Sequence, residues 1–192
     1  SKAKRDAGWQ RGMARRPAAR TGEDKSNAAA GSTHVGSSSA ASSVPYAEVA
    51  PLIQEYGDQL AGKIVVDITN PVPFTTMSPA VAPGTSGAEE IAKVAPAGAK
   101  VVKAFNTTFA GTLVAGRRSM SSSPATTLDV FVAGDDADAK STLSQVIEAG
   151  GLRAIDAGSL QRARQQEALG LLHMALQFTL NTGFGSAVKI LV

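Results

Sequence analysis

The sequence contains no cysteine among its 192 residues. This absence excludes disulfides, thiolate metal sites and thiol catalysis, and it is compatible with a reducing cytosol, so we expect a cytoplasmic protein. No apolar run approaches the roughly 18 residues of a membrane span. The basic start has no apolar stretch of the kind found in a secretory signal. Aromatic residues are only 5% of the chain, so a core must consist mainly of Val, Leu, Ile and Ala.

Residues 1–43 lack large apolar side chains other than Trp9, Met13 and Val35. They contain eight Lys/Arg against three Asp/Glu, a charge of +5, whereas residues 44–192 carry −2. Such a composition buries too little apolar area to offset the entropy of ordering, and it predicts a disordered basic tail with a serine-rich linker. We expect no nucleic-acid partner, because no aromatic platform or recognised motif accompanies the basic residues.

Two stretches of the remaining chain follow the same pattern. KIVVDITNP at 63–71 and KVVKAFNT at 100–107 are each a short apolar run that leads into an asparagine. The carboxyl ends of parallel strands meet at one sheet edge, where α/β proteins bind their ligands. Asn70 and Asn106 are therefore candidate binding residues, since an amide both donates and accepts hydrogen bonds. The alternative is that each asparagine only closes a turn.

The other patterns alternate between helix and strand. Apolar residues at helical spacing and a capping box from Ser86 to Glu89 predict helices at 46–60, 87–95, 107–115, 136–149 and 159–181. Further strands are predicted at 128–133 and 152–157. This alternation indicates an α/β fold with a parallel sheet. The last helix is apolar almost all round from Ala168 to Phe178, which predicts burial in a core or a dimer interface.

Six blocks, in order and at compatible spacings, carry a family resemblance: VPYAEV, AGKIVVDITNPV, GTSGAEEIAKVAP, VVKAFNTTFAGTL, LDVFVAGDDADAK and GGLRAIDAG. Together they resemble the NADPH-dependent F420 reductases, whose dinucleotide-binding module also occurs in the STEAP metalloreductases. The resemblance covers residues 45–192. It implies a Rossmann-type fold with a long C-terminal helix, NADP as cofactor, the deazaflavin F420 as co-substrate and a homodimer formed through the last helix. Hydride would pass directly between the two rings, so the resemblance implies no catalytic acid–base residue. No His/Asp/Glu cluster has metal-ligand spacing, so we also expect no metal site.

The resemblance also implies where the cofactor lies. Asn70 and Asn106 would lie on the nicotinamide side, and Pro45 and Tyr46 under the ribose or nicotinamide; Thr107 either lines the F420 side or caps the next helix. A glycine turn with nearby arginines would bind the phosphates. The predicted cofactor-binding residues are Gly8, Gly12, Arg15, Arg16, Pro45, Tyr46, Asn70, Pro71, Asn106 and Thr107.

Residues 1–43 depart from the family pattern, because no apolar first strand precedes the glycine turn at Gly8–Gly12. We interpret them as an irregular basic segment, either a degenerate or an incorrectly recorded first half of the Rossmann unit. Residues 44–192 form the α/β dinucleotide-binding and substrate-side domain. The predicted function is that of an NADP-dependent oxidoreductase. The alternatives are a non-catalytic remnant without its cofactor half, and an NADPH-dependent flavin or ferric reductase.

Overall fold

The computed structural model describes residues 39–42, 44–73, 75–115 and 127–191. The predicted phosphate-binding residues Gly8, Gly12, Arg15 and Arg16 lie outside these ranges, so their assignment stays a prediction. The described residues form a five-stranded sheet with helices on both faces.

The strands lie side by side in the order in which they occur in the chain. They are β1 (Ser39–Ser42), β2 (Ile64–Asp67), β3 (Lys100–Lys103), β4 (Asp129–Gly134) and β5 (Arg153–Gly158). The helices are α1 (Tyr46–Tyr56), α2 (Gly87–Val94), α3 (Ala110–Ala115), α4 (Ala137–Ala149) and α5 (Ala163–Leu180), with 3-10 turns at Gly57–Leu60 and Leu160–Arg162.

Two helices begin at side-chain caps, and the one at Ser86 is the capping box that the sequence predicts. The Ser86 hydroxyl accepts a hydrogen bond from the Glu89 N–H and donates one to the Glu89 carboxylate, at 3.2 and 2.7 Å. Asp136 accepts from the Ala139 N–H at 2.7 Å and so begins α4. Each cap satisfies a backbone donor that the first helical turn leaves without a partner.

The alternation of side chains along the strands creates two cores. Val65 and Val101 pack with α1 and α2 on one face, whereas Val66 and Val102 pack with α4 on the other. Successive strand residues point to opposite faces, so strands covered on both sides are apolar at nearly every position. The middle strands are therefore buried on both faces.

Residues 39–42 were predicted to belong to a serine-rich linker, but their backbone forms β1 and pairs in parallel with β2. That prediction was wrong because it rested on side-chain composition, whereas strand pairing is made by backbone N–H and C=O groups. The pairing covers the edge of β2 that would otherwise present unpaired backbone groups.

The sheet is parallel except at one pairing. β3 and β4 are antiparallel, with Val102 opposite Gly134 and Lys103 opposite Ala133, whereas β4 and β5 are parallel to each other. Strand direction depends on how the connection returns to the sheet, and the local apolar pattern of residues 128–133 contains no information about that.

Candidate functional site

Asn70 and Asn106 are bonded to each other at the carboxyl ends of β2 and β3. Asn70 Nδ2 donates to the Asn106 carbonyl at 2.8 Å, and Asn106 Nδ2 donates to Asn70 Oδ1 at 3.0 Å. Asn106 Nδ2 also donates to the Gln166 carbonyl on α5, at 2.8 Å. Because both partners of Asn106 Nδ2 are acceptors, the orientation of its amide is determined.

Helix α5 approaches this asparagine pair closely at Gly170. A Cβ atom added to Gly170 would lie 2.7 Å from Asn70 Oδ1 and 3.0 Å from Asn106 Nδ2. These distances are too short for any side chain to fit without movement of the pair. The close approach therefore brings α5 against the ends of both strands.

Three buried polar atoms beside the pair have no hydrogen-bond partner within the protein: Asn106 Oδ1, Gln166 Oε1 and Gln166 Nε2. The two residues are 7% and 4% exposed. Leaving a buried polar group without a partner costs about 1–3 kcal/mol, so native structures contain few of them. Two acceptor oxygens and one NH2 group are thus left unsatisfied where α5 meets the end of β3.

A buried ion cluster lies at the same edge. Lys103 Nζ donates to Asp67 Oδ2 at 2.7 Å, to Glu167 Oε1 at 2.8 Å and to the Thr69 carbonyl at 2.5 Å. Asp67 and Lys103 lie opposite each other in the register of β2 and β3, and both are fully buried. The cluster joins both strands to α5 and fixes the backbone immediately before Asn70.

Glu167 also occupies the N-terminus of α2. Its carboxylate accepts from the Gly87 and Ala88 N–H groups, at 2.8 and 3.2 Å. The negative charge complements the positive end of the helix dipole. Because the carboxylate already satisfies these donors, this helix end is not available to a phosphate of a ligand.

Tyr46 and Pro71 flank Gly87. A Cβ on Gly87 would lie 2.8 Å from Tyr46 Cε2 and 3.3 Å from Pro71 Cβ. Burial, followed by the nearby carboxylates of Glu167, Glu90 and Asp67, raises the pKa of the Tyr46 hydroxyl, so it is protonated at neutral pH. Pro45 is exposed, at the position just before α1.

Thr107 follows Asn106 in the chain and contacts His173. The buried Thr107 carbonyl lies 3.1 Å from His173 Nδ1 and must accept its proton, so His173 Nε2 is the acceptor for the Ser186 hydroxyl at 2.8 Å. Burial lowers the pKa of His173, and its ring stacks on Phe109 at 4.4 Å. These contacts are those of a satisfied core histidine.

The sequence predicts that Asn70 and Asn106 lie at one edge of the sheet, but the sequence analysis missed the ion cluster and Gln166. A signal for part of the cluster was present, because Asp67 and Lys103 end the apolar runs of the two repeated stretches. The sequence contains no such signal for Glu167 and Gln166, since their contacts depend on how α5 packs. Within the described residues, no group of three or more His, Asp or Glu is arranged to hold a metal ion.

A mostly parallel sheet, covered by helices on both faces and with polar side chains at its carboxyl edge, defines a Rossmann-type fold. The chain superposes on a candidate F420-dependent NADP reductase from Arthrobacter sp. FB24 with a TM-score of 0.67 and 32% identity, covering 79% of this chain and 69% of that one. The chain belongs to the F420-dependent NADP reductase family.

Two other proteins are similar over smaller shares. A hypothetical protein from Sinorhizobium meliloti superposes with a TM-score of 0.57 at 30% identity, covering 64% of this chain and 57% of that one. Metalloreductase STEAP3 from Rattus norvegicus is 41% identical over 114 residues, which is 59% of this chain. The chain spans about a fifth of the length of the rat protein, since the match covers 21% of it.

No protein-family model matches the sequence. A search of the helices among the described residues finds none that is both long and apolar enough to cross a membrane.

Proposed function

We propose that the protein is an oxidoreductase that transfers hydride between NADP(H) and a second redox carrier, the deazaflavin F420. The observation that carries this proposal is the amide pair Asn70–Asn106 at the carboxyl edge of the sheet, where Rossmann-type proteins bind dinucleotides. Family membership supports NADP as the cofactor, and the name of the Arthrobacter relative supports F420 as its redox partner.

The residues present fit the nicotinamide end of NADP(H). Asn106 Oδ1 is buried without a partner, and it would accept a hydrogen bond from a carboxamide N–H. When bound, the dinucleotide supplies or takes up the hydride. The protein's part is to bind and orient the rings, through Asn70 and Asn106, with Tyr46 and Pro71 beside them. Because Glu167 occupies the N-terminus of α2, we do not expect the phosphates to bind at that helix end. Gly8, Gly12, Arg15 and Arg16 stay the predicted phosphate-binding residues.

A metal reductase using the same NADPH site is the second candidate function, favoured by the 41% identity to a protein named metalloreductase. The two candidates share their electron donor and differ only in the acceptor. Supplying NADPH with either F420 or a ferric chelate, and recording which one is reduced, distinguishes them.

NADPH titration by calorimetry, on protein of verified intact mass, tests the proposal. We expect the wild type to bind NADPH with a micromolar dissociation constant. The dissociation constant of Asn70→Ala should be about tenfold higher, a loss of about 1.4 kcal/mol in binding free energy. Gln165→Ala, on an exposed position of α5, is the control and should bind as the wild type does. Absence of binding to the wild type would overturn the proposal in favour of a non-catalytic remnant.

We also propose a homodimer formed through α5, in a cytoplasmic protein. Leu172, Leu176 and Leu180 follow one another at four-residue spacing and are 56%, 38% and 61% exposed. Such a stripe leaves apolar area in water that a second copy would cover. A monomeric mass in sedimentation equilibrium would contradict this part of the proposal.

A further inference from the structure

Gln166 is a buried amide whose side chain satisfies nothing in the protein. Its Oε1 and Nε2 atoms lack partners, although its backbone carbonyl holds Asn106 Nδ2 at 2.8 Å. The next residue, Glu167, is anchored by Lys103 and by the start of α2. The helical turn that contains Gln166 is therefore held through its backbone and through Glu167, whereas the side-chain amide of Gln166 makes no hydrogen bond.

Together with Asn106 Oδ1, this amide leaves two acceptor oxygens and one NH2 group unsatisfied. A neutral primary carboxamide carries the complementary groups, an NH2 whose two N–H donors suit the two oxygens and a carbonyl oxygen that accepts from the Gln166 NH2. A carboxylate would not match, because it has no donor for the two acceptors. The chemistry of these three atoms thus favours an uncharged amide.

We propose that Gln166 and Asn106 recognise the carboxamide of the nicotinamide ring, with Gln166 as a specificity-determining residue. This inference rests on the proposed function and deepens it. Asn70 and Asn106 mark the sheet edge, and Gln166 on α5 distinguishes a ring that bears an amide from one that does not. Pairing with the ligand gives the buried amide the partners that the protein does not supply.

The test compares NADP⁺ with its 3-acetylpyridine analogue, in which a methyl ketone replaces the carboxamide and both N–H donors are lost. Calorimetry on the wild type should show NADP⁺ binding about thirtyfold more tightly, because the analogue leaves buried acceptors unpaired. In Gln166→Met, a near-isosteric apolar variant, this preference should fall to about fivefold. The control Gln165→Met makes the same change on an exposed position of α5 and should retain the full preference.

A second measurement needs no ligand. Gln166→Met removes an amide without partners, so the melting temperature of the free protein should rise by about 2–8 °C. A fall would mean that a buried water already satisfies the amide, and it would overturn the proposal. An undiminished preference for NADP⁺ in Gln166→Met, or an equal loss of affinity for both ligands, would overturn it as well.

Failure of the proposed function gives a different result from failure of this inference. If the wild type binds neither nucleotide, the dinucleotide site itself is refuted. If it binds both with equal affinity, the site exists but does not recognise the amide.

Discussion

Ion pairs at the two sides of the sheet differ in how far they are removed from water. The side chains of Lys103 and Asp67, at the ends of β3 and β2, are both 0% exposed. Lys140 and Asp156, on α4 and β5, are paired at 2.8 Å, against 2.7 Å for the buried pair, but are 15% and 63% exposed. A buried pair loses its hydration and depends on every partner being present, whereas water and salt screen an exposed pair.

This difference indicates where a single substitution should destabilise the fold most. Apolar side chains of similar volume often replace buried ion pairs without loss of stability. The Lys103 cluster instead connects β2, β3, α5 and the first turn of α2 through hydrogen bonds of defined direction. We infer that it fixes the geometry of the strand ends from which Asn70 and Asn106 project.

Replacing one lysine on each side tests the comparison most directly. Lys103→Met leaves Asp67 and Glu167 buried without their cation, so we expect a loss of about 3–5 kcal/mol in the free energy of unfolding. Lys140→Met breaks the exposed pair and should cost less than about 1 kcal/mol. Urea unfolding of both variants measures the two losses, and similar small values would show that the two environments do not differ. Should Lys103→Met not fold, Glu167→Gln removes one charge and should still lose more than Lys140→Met.

Gly170→Ala tests the buried region further, at the contact between α5 and the asparagine pair. The added Cβ would lie 2.7 Å from Asn70 Oδ1, so we expect a destabilisation of about 1–3 kcal/mol together with weaker NADPH binding. Gly111→Ala is the matched control, because nothing lies within 4 Å of a Cβ there. That change, in α3, should be neutral or stabilising by up to about 1 kcal/mol. Equal effects at both glycines would refute the close packing of α5.

A smaller effect is expected from His173, which is buried but uncharged. Burial holds its folded pKa below the ordinary value of 6.5. Below that pH the unfolded chain takes up a proton that the folded protein does not, so stability is fully present above about pH 6.5 and declines as the pH falls. Between about pH 7.5 and 5.5 the melting temperature of His173→Gln should therefore fall less than that of the wild type. A His34→Asn background in both proteins eliminates the other histidine, and parallel pH profiles would contradict the assignment.

Local sequence patterns predicted the helices and strands, but they did not predict the contacts that depend on tertiary packing. The alternation of helix and strand and the Ser86 cap were readable because each is determined by neighbours in sequence. The adjacency of Asn70 and Asn106 followed from the rule that parallel strands end at one edge. β1 was missed because its backbone, and not an apolar pattern, makes the pairing. The direction of β4 and the partners of Glu167 were missed because they depend on long connections.

The anchoring of α2 by Glu167 limits the order in which parts of the protein can fold during synthesis. Gly87 and Glu167 are 80 residues apart in the chain, and Lys103 and Glu167 are 64 apart. At about 5–20 residues per second on a ribosome, the start of α2 waits roughly 4–16 s for its carboxylate. During that interval the emerging sheet has a helix with unpaired amides and a lysine without its second counterion. The nascent chain therefore cannot complete this part of its structure segment by segment, and the exit of α5 is the event that allows it to close.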